Sequence, residues 1–229
     1  MPPDMRNIFL SFLCFLGLTS CNEQKLSADE LKLIQEINLD QETALKIKKN
    51  STSEFQRTIG HSDREMLFEN FESLKAYSKN LPKAIKITAK ANDASDIVRN
   101  LNEQLLTKGL IIYKSEENYG RGDDTITILQ SKNKFEPLLF EATNAVNYDI
   151  YTPQIIERLK LWDSYYGIKI YGVGFDFVSG EFKSKPKDLS KFAKEMYDFC
   201  PDIVDQGVGD IIELENTLKS TNDFFLWWD

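Results

Sequence analysis

Between residues 83 and 129 the hydrophobic period of the chain changes twice. KAIKITA (83–89) alternates apolar and polar positions, the pattern of a strand with one buried face. Ile97, Leu101 and Leu105, with Val98 beside them, then recur at helical spacing behind Asp93 as a candidate cap, and Gly109 supplies the helix end. LIIY (110–113) and TITIL (125–129) return to strand patterning around KSEENYGRGDD (114–124), a polar hairpin loop. Upstream the signals are helical. Ser27-Ala-Asp-Glu30 is a capping box opening a short helix to about Ile37, and Ser62-Asp-Arg-Glu65 is a second, followed by Leu67, Phe68, Phe71 and Leu74 and ended by Leu81-Pro82. Residues 40–50 contain TALKIKK, which fits a strand or a helix. Downstream, helices are expected over 135–146, from the Thr152-Pro153 start to Gly167, from Pro186-Lys-Asp188 to Cys200, and over 211–219. IKIYGVGFDF (168–177), with a bulge at its glycines, and FFLWW (224–228) read as strands.

This order predicts an α+β fold: a mixed sheet with helices packed on it, preceded by a short N-terminal helical region. The expected core includes Ile97, Leu101, Leu105, Ile126, Ile128, Leu159, Trp162, Ile170, Phe192, Met196, Leu226 and one of Trp227 and Trp228, since neighbours on a strand face opposite ways. No internal repeat interrupts the 229 residues, a length that builds one full-size core.

Charge narrows the partners. The formal net charge is −8, so phosphate backbones and anionic headgroups are repelled, and nucleic acid is not an expected partner. Membrane attachment has to come from elsewhere. Arg6 and Asn7 precede the apolar run Ile8–Leu18, which is shorter than the ~20 residues of a membrane span but matches a signal-peptide core of roughly 7–15 residues. Leu18-Thr19-Ser20-Cys21 follows, and it resembles the lipobox of bacterial lipoproteins. That resemblance implies cleavage before Cys21 and acylation of its thiol. A start at Met5 rather than Met1 would give a cleaner basic leader. The expected organisation is a signal peptide over 1–20, a tether over 21–26, a mostly helical region over 27–80 and an α+β domain over 81–229. The expected location is the cell envelope, lipid-anchored to the inner or the outer membrane. Of the three cysteines, Cys14 leaves with the leader and Cys21 carries lipid. Cys200 is then left without a disulfide partner, and a lone thiol in an oxidising compartment is expected to be buried.

Candidate chemistry concentrates in FCPDIVDQGVGD, Phe199–Asp210. Three readings are open. Asp202, Asp205, Gln206 and Asp210 are the residues that cap turns and helices, with Asp210 ahead of the helix at Ile211. The same loop, with Cys200, Gly207 and the terminal Asp229, is a candidate binding loop. Paired carboxylates also do acid–base chemistry when burial separates their pKa values. A Cys–His or serine nucleophile needs an imidazole, and the one histidine, His61, is distant in sequence. The aspartate spacing does not match a calcium loop, and there is no Cys/His zinc set, so neither metal nor cofactor is expected. Gly172-x-Gly174 lacks the third glycine of a dinucleotide fingerprint, and Arg121-Gly122-Asp123 sits where a hairpin calls for such residues. Trp227 and Trp228 are either a stacking platform or a seal on the sheet. Asp229 places two carboxylates at a sheet edge, for a ligand or for a basic side chain.

Cys200-Pro-Asp-Ile-Val-Asp-Gln-Gly207 and the terminal Trp227-Trp228-Asp229, with Trp162-Asp163 to Tyr166-Gly167 and Asp188-Leu189 leading to Phe192-Ala193, resemble a bacterial domain-of-unknown-function family over roughly residues 81–229. The resemblance implies an α+β domain and no established activity. The expected function is therefore a non-catalytic binding or interaction module at a membrane surface, for an unknown protein or small molecule. The alternative is a hydrolase-like enzyme using Asp202 and Asp205.

Overall fold

The computed structural model describes residues 25–62 and 71–229. The leader, Cys21 and most of the second capping box lie outside them. The described elements are helices α1 (Ala28–Glu36) and α2 (Gln41–Lys49), strand β1 (Gln56–Thr58), α3 (Phe71–Lys79), β2 (Ala84–Lys90), α4 (Ala91–Thr107), β3 (Leu110–Glu116), β4 (Asp123–Gln130), α5 (Glu136–Phe140), α6 (Thr152–Tyr166), β5 (Ile168–Val173), β6 (Phe177–Phe182), α7 (Leu189–Phe199), α8 (Ile211–Ser220) and β7 (Asp223–Trp227).

The strands form one seven-stranded mixed sheet in the order β1-β2-β4-β3-β5-β6-β7. Neighbours are antiparallel except β3 and β5, which run parallel after the crossover through α5 and α6. Alternation along β3 shows why both faces are covered. Leu110 and Ile112 join Ile85, Ile87, Ile126 and Ile128 beneath α1, α2 and α4. Ile111 and Tyr113 face the opposite core with α5 to α8. A strand buried on both sides reads as the continuous apolar run LIIY. Trp162 anchors the second core, meeting Phe182, Phe192, Phe199 and Phe224 edge-on at ring-centroid distances of 5.2–6.5 Å.

The first capping box forms as read: Ser27 Oγ accepts from the Glu30 N–H, and Glu30 accepts from the Ser27 N–H. Glu30 goes further, because its buried carboxylate also pairs with Lys48 of α2 at 2.5 Å and accepts from the Phe55 N–H. Residues 41–49 resolve as a helix, since Asp40 caps it by accepting from the Thr43 N–H. Several boundaries differ from expectation. Residues 168–177 are not one strand: β5 has its bulge between Ile170 and Gly172, the chain turns at Gly174, and a second strand follows. The helix expected over 135–146 stops at Phe140, where Ala142 takes φ 55 and the Thr143 N–H closes on Leu138 O at 2.9 Å. Asp93 lies in the first turn of α4 rather than capping it, and Tyr151 rather than Thr152 precedes α6. Leu101 is half-buried; the other expected core residues are buried, and Trp228 is the tryptophan of the pair that seals the sheet.

The single parallel junction joins two antiparallel halves at the register Lys114↔Gly172. Asn102 of α4 stitches it from one side, its amide donating to Ile170 O at 2.9 Å and to Ile112 O at 3.4 Å. Asn102→Ala should therefore cost about 1–2 kcal/mol in denaturant unfolding. It should also raise amide exchange in β3 and β5 before β1 or β7. Uniform exchange across all strands would show that Asn102 does not hold the junction.

Candidate functional site

The segment that looked chemical is occupied by architecture. α7 ends at Phe199, and Ile203–Val208 forms one π-helical turn, its Gly209 N–H reaching Val204 O at 2.8 Å. Asp202 is buried and caps no local turn. Its Oδ1 accepts from the Tyr148 hydroxyl at 2.6 Å and from Gln206 Nε2 at 3.0 Å, and its Oδ2 accepts from the Asp229 N–H at 2.9 Å. Asn147 Nδ2 donates to the Asp229 carbonyl at 2.8 Å. The carboxylate thus ties together three stretches of chain: the turn at 146–148, the π turn and the C-terminus. Burial opposes its charge most, yet the bonds from Tyr148, Asp229 and Gln206 together outweigh burial and hold its pKa below the usual 3.8. The Tyr148 hydroxyl, donating to that carboxylate, is pushed up to about 12.

Cys200 is fully buried, and its thiol donates to Trp227 O at 3.0 Å. That carbonyl lies on the outer side of β7, because Trp228 rather than Trp227 bonds across to Asp176 O. Burial pushes the thiol up to about 12, so it is no nucleophile at neutral pH. Asp205, Gln206 and Gly207 are exposed, with Asp205 3.3 Å from the Tyr197 hydroxyl. Asp210 caps α8 through the Ile212 and Glu213 N–H groups, as its position suggested. No lysine or arginine among the described residues pairs with Asp229.

The larger opening lies elsewhere, where β3 and β5 end and the sheet parts. Among the described residues it is a cleft of about 470 Å³. In parallel sheets ligands collect outside the carboxyl ends of the strands. Lys86 and Glu116 of the sheet line the cleft, each at the end of a cross-strand row: Lys86–Thr127–Tyr113, then Thr88–Thr125–Glu116. These rows are polar because α5 and α6 cover the lower part of that face. The hydroxyls pair among themselves, Thr127 with Ser115 at 2.8 Å and Thr125 with Glu116 at 2.7 Å. Tyr113 is fully buried and donates to Glu141 Oε1 at 2.7 Å; its own pKa rises well above normal, first through burial and then through the Glu141 charge. Glu141 is held there by the end of α5. Thr143 donates to Gly174 O at 2.6 Å, and the Asn144 N–H donates to Phe175 O at 2.9 Å, sewing this corner to the β5–β6 turn.

The remaining walls come from four directions. Ser115–Tyr119 leave β3, and Phe175–Phe177 form the β5–β6 turn. Trp227 closes one side from β7. His61 stacks on Phe175 with ring centroids 4.1 Å apart. Gly60 makes that approach possible: its φ is 71, and a Cβ there would lie 2.1 Å from Phe140 O. Neither His61 nor Lys86 stood out as cleft residues in the sequence, although the Thr-x-Thr alternation of β4 beside Lys86 marks a polar strand face.

Residues 125–229 match the model of a family described as a domain of unknown function, DUF4253. No curated protein and no solved structure matches the chain. The matched stretch is less than half of the chain. It supplies Glu141, Phe175, Asp176, Phe177 and Trp227 to the cleft, and the residues before it supply Thr58, Gly60, His61, Lys86 and Ser115–Tyr119. Among the described residues no His/Cys/Asp/Glu group is arranged to hold a metal ion, and no helix is long and apolar enough to cross a membrane.

Asp202→Asn should cost about 2 kcal/mol, whereas Asp205→Asn should fall within about 0.5 kcal/mol of wild type. Because the folded pKa of Asp202 is depressed, its contribution is complete above the unfolded value near 3.8 and is lost as pH falls through the lower folded value. Thermal unfolding across that acid range should show a steeper pH dependence for wild type than for Asp202→Asn. Equal slopes would mean the carboxylate is not what the C-terminus rests on.

Proposed function

We propose that this chain is a non-catalytic binding module, anchored in the cell envelope through lipid on Cys21, and that its ligand seats in the cleft at the ends of β3 and β5. The observation that carries the binding reading is the cleft itself. It is roomy enough for a small molecule, its floor is a rigid sheet, and hydrogen-bonding groups and aromatic rings line it together. The residues first considered for binding fit that reading as supports. Asp202, Cys200 and Asp229 brace the end of β7, and Trp227 of that strand faces the cleft. The hydrolase alternative finds less support, since both oxygens of Asp202 already accept hydrogen bonds and Asp205 stands on the surface.

The anchor is supported by the run Ile8–Leu18 followed by Leu-Thr-Ser-Cys21. Cys21→Ser should leave uncleaved precursor that takes up no radiolabelled palmitate; continued labelling would remove the anchor from the proposal. The cleft is tested separately. The full chain in detergent micelles is screened against a collection of small molecules by thermal shift. Compounds that stabilise wild type should lose that effect in Trp227→Ala and keep it in Asp205→Asn. Stabilisation that survives Trp227→Ala would place the site elsewhere.

A further inference from the structure

We infer that the cleft takes an organic ammonium, a ligand whose positive nitrogen is set against carboxylates and aromatic rings; this rests on the cleft being the ligand site. Two independent properties of the cavity converge on that class. The first is its walls. Tyr119 and Trp227 line it and are not buried, and the face of an aromatic ring carries a negative quadrupole that attracts a cation, most strongly for tryptophan. The second is its charge. Glu116, Glu117, Glu141 and Asp176 line the cavity, and Lys86 on the β2 side is the one lysine or arginine among the described lining residues. Part of the negative charge is committed: Glu117 pairs with Lys114 at 3.0 Å, Glu116 accepts from Thr125, and Glu141 accepts from Tyr113. Among the described residues no cation or hydrogen-bond donor holds the Asp176 carboxylate, which stands at the mouth beside Phe177. The Tyr119 hydroxyl registers the local field, its pKa raised by the shelter of its surroundings and then by Glu117, Asp176 and Asp124.

An anionic ligand would gain one ammonium, Lys86, and meet several carboxylates. A neutral polyol would find acceptors but leave the excess negative charge uncompensated. An ammonium carried on a small apolar body meets both the rings and the charge, and a cleft of about 470 Å³ lies in the size range of small-molecule sites.

The test uses the full chain in detergent micelles and three probes at matched ionic strength: tetramethylammonium, butyrate and glucose. The chain has three tryptophans, so its ¹H–¹⁵N spectrum carries three indole cross-peaks, and Trp227→Phe identifies the one that faces the cleft. Tetramethylammonium should move the Trp227 cross-peak saturably and leave those of buried Trp162 and Trp228 in place. The double variant Glu116→Gln, Asp176→Asn should weaken that binding about fivefold. Saturable movement by butyrate or glucose, with none by tetramethylammonium, would overturn the ligand class and leave the cleft as the site. No movement by any probe would also overturn the class; together with a thermal shift insensitive to Trp227→Ala, it would overturn the cleft as well.

Discussion

The parallel junction between β3 and β5 is the constraint on which the rest of the molecule depends. Each half of the sheet is antiparallel throughout, and the two halves meet at one parallel register, Lys114↔Gly172. A parallel join needs a long crossover, and here residues 131–167 make it, carrying α5 and α6 across one face. That crossover fills the lower part of the face with Ile155, Leu159 and Trp162 and leaves the upper part to polar side chains. Register shifts interrupt β3 at Lys114/Glu116 and β5 at Ile170/Gly172, on either side of the junction. The cleft lies past the ends of β3 and β5, so the topology that joins the halves also places the opening between them.

A terminal strand raises a different problem. β7 is the outermost strand, and an open edge offers unpaired backbone groups to other chains. The segment Cys200–Gly207 lies along it, with the Cys200 thiol on an outward carbonyl and Asp202 holding the final residue. A short, cysteine-, proline- and aspartate-rich sequence is what such a cover calls for. A helix must stop, a small buried donor must reach a carbonyl, and an acceptor must collect three donors in a space that excludes water. The cover and the cleft meet at β7. Bracing its end fixes Trp228 in the core, and Trp227 beside it lines the cleft.

Much of the fold was legible because its elements are amphipathic at the expected periods. The stripes at Ile97–Leu105 and Leu159–Tyr166, the alternation in β2 and β4 and the caps at Ser27 and Asp210 are local signals, and each formed. What was not legible depended on partners distant in sequence. β6 reads weakly because Gly180 interrupts it, yet a side chain there would press on Lys169 O, so the glycine is a packing requirement rather than a break. The helix after Phe135 stops early because Thr143 and Asn144 bond to the β5–β6 turn, about thirty residues away. The cleft was hidden for the same reason: Lys86, Glu116, Glu141 and Trp227 share no local pattern and meet only once the sheet is assembled. The signature segment was ambiguous in sequence, since residues that cap and brace are the same residues that bind and catalyse.

The composition of the cleft also bears on how its parts depend on one another. The family-matched stretch provides the crossover, the β5–β6 turn and the tryptophan, but β2, β3 and the loop carrying His61 precede it. Gly60 seats that loop on Phe140, and β1 pairs with β2, so the N-terminal helices and the matched stretch are bound into one sheet rather than strung as separate units. A ligand in the cleft would therefore touch both. The lining of the cleft thus comes from both sides of the junction, while the braces at Asp202 and Cys200 lie within the matched stretch alone.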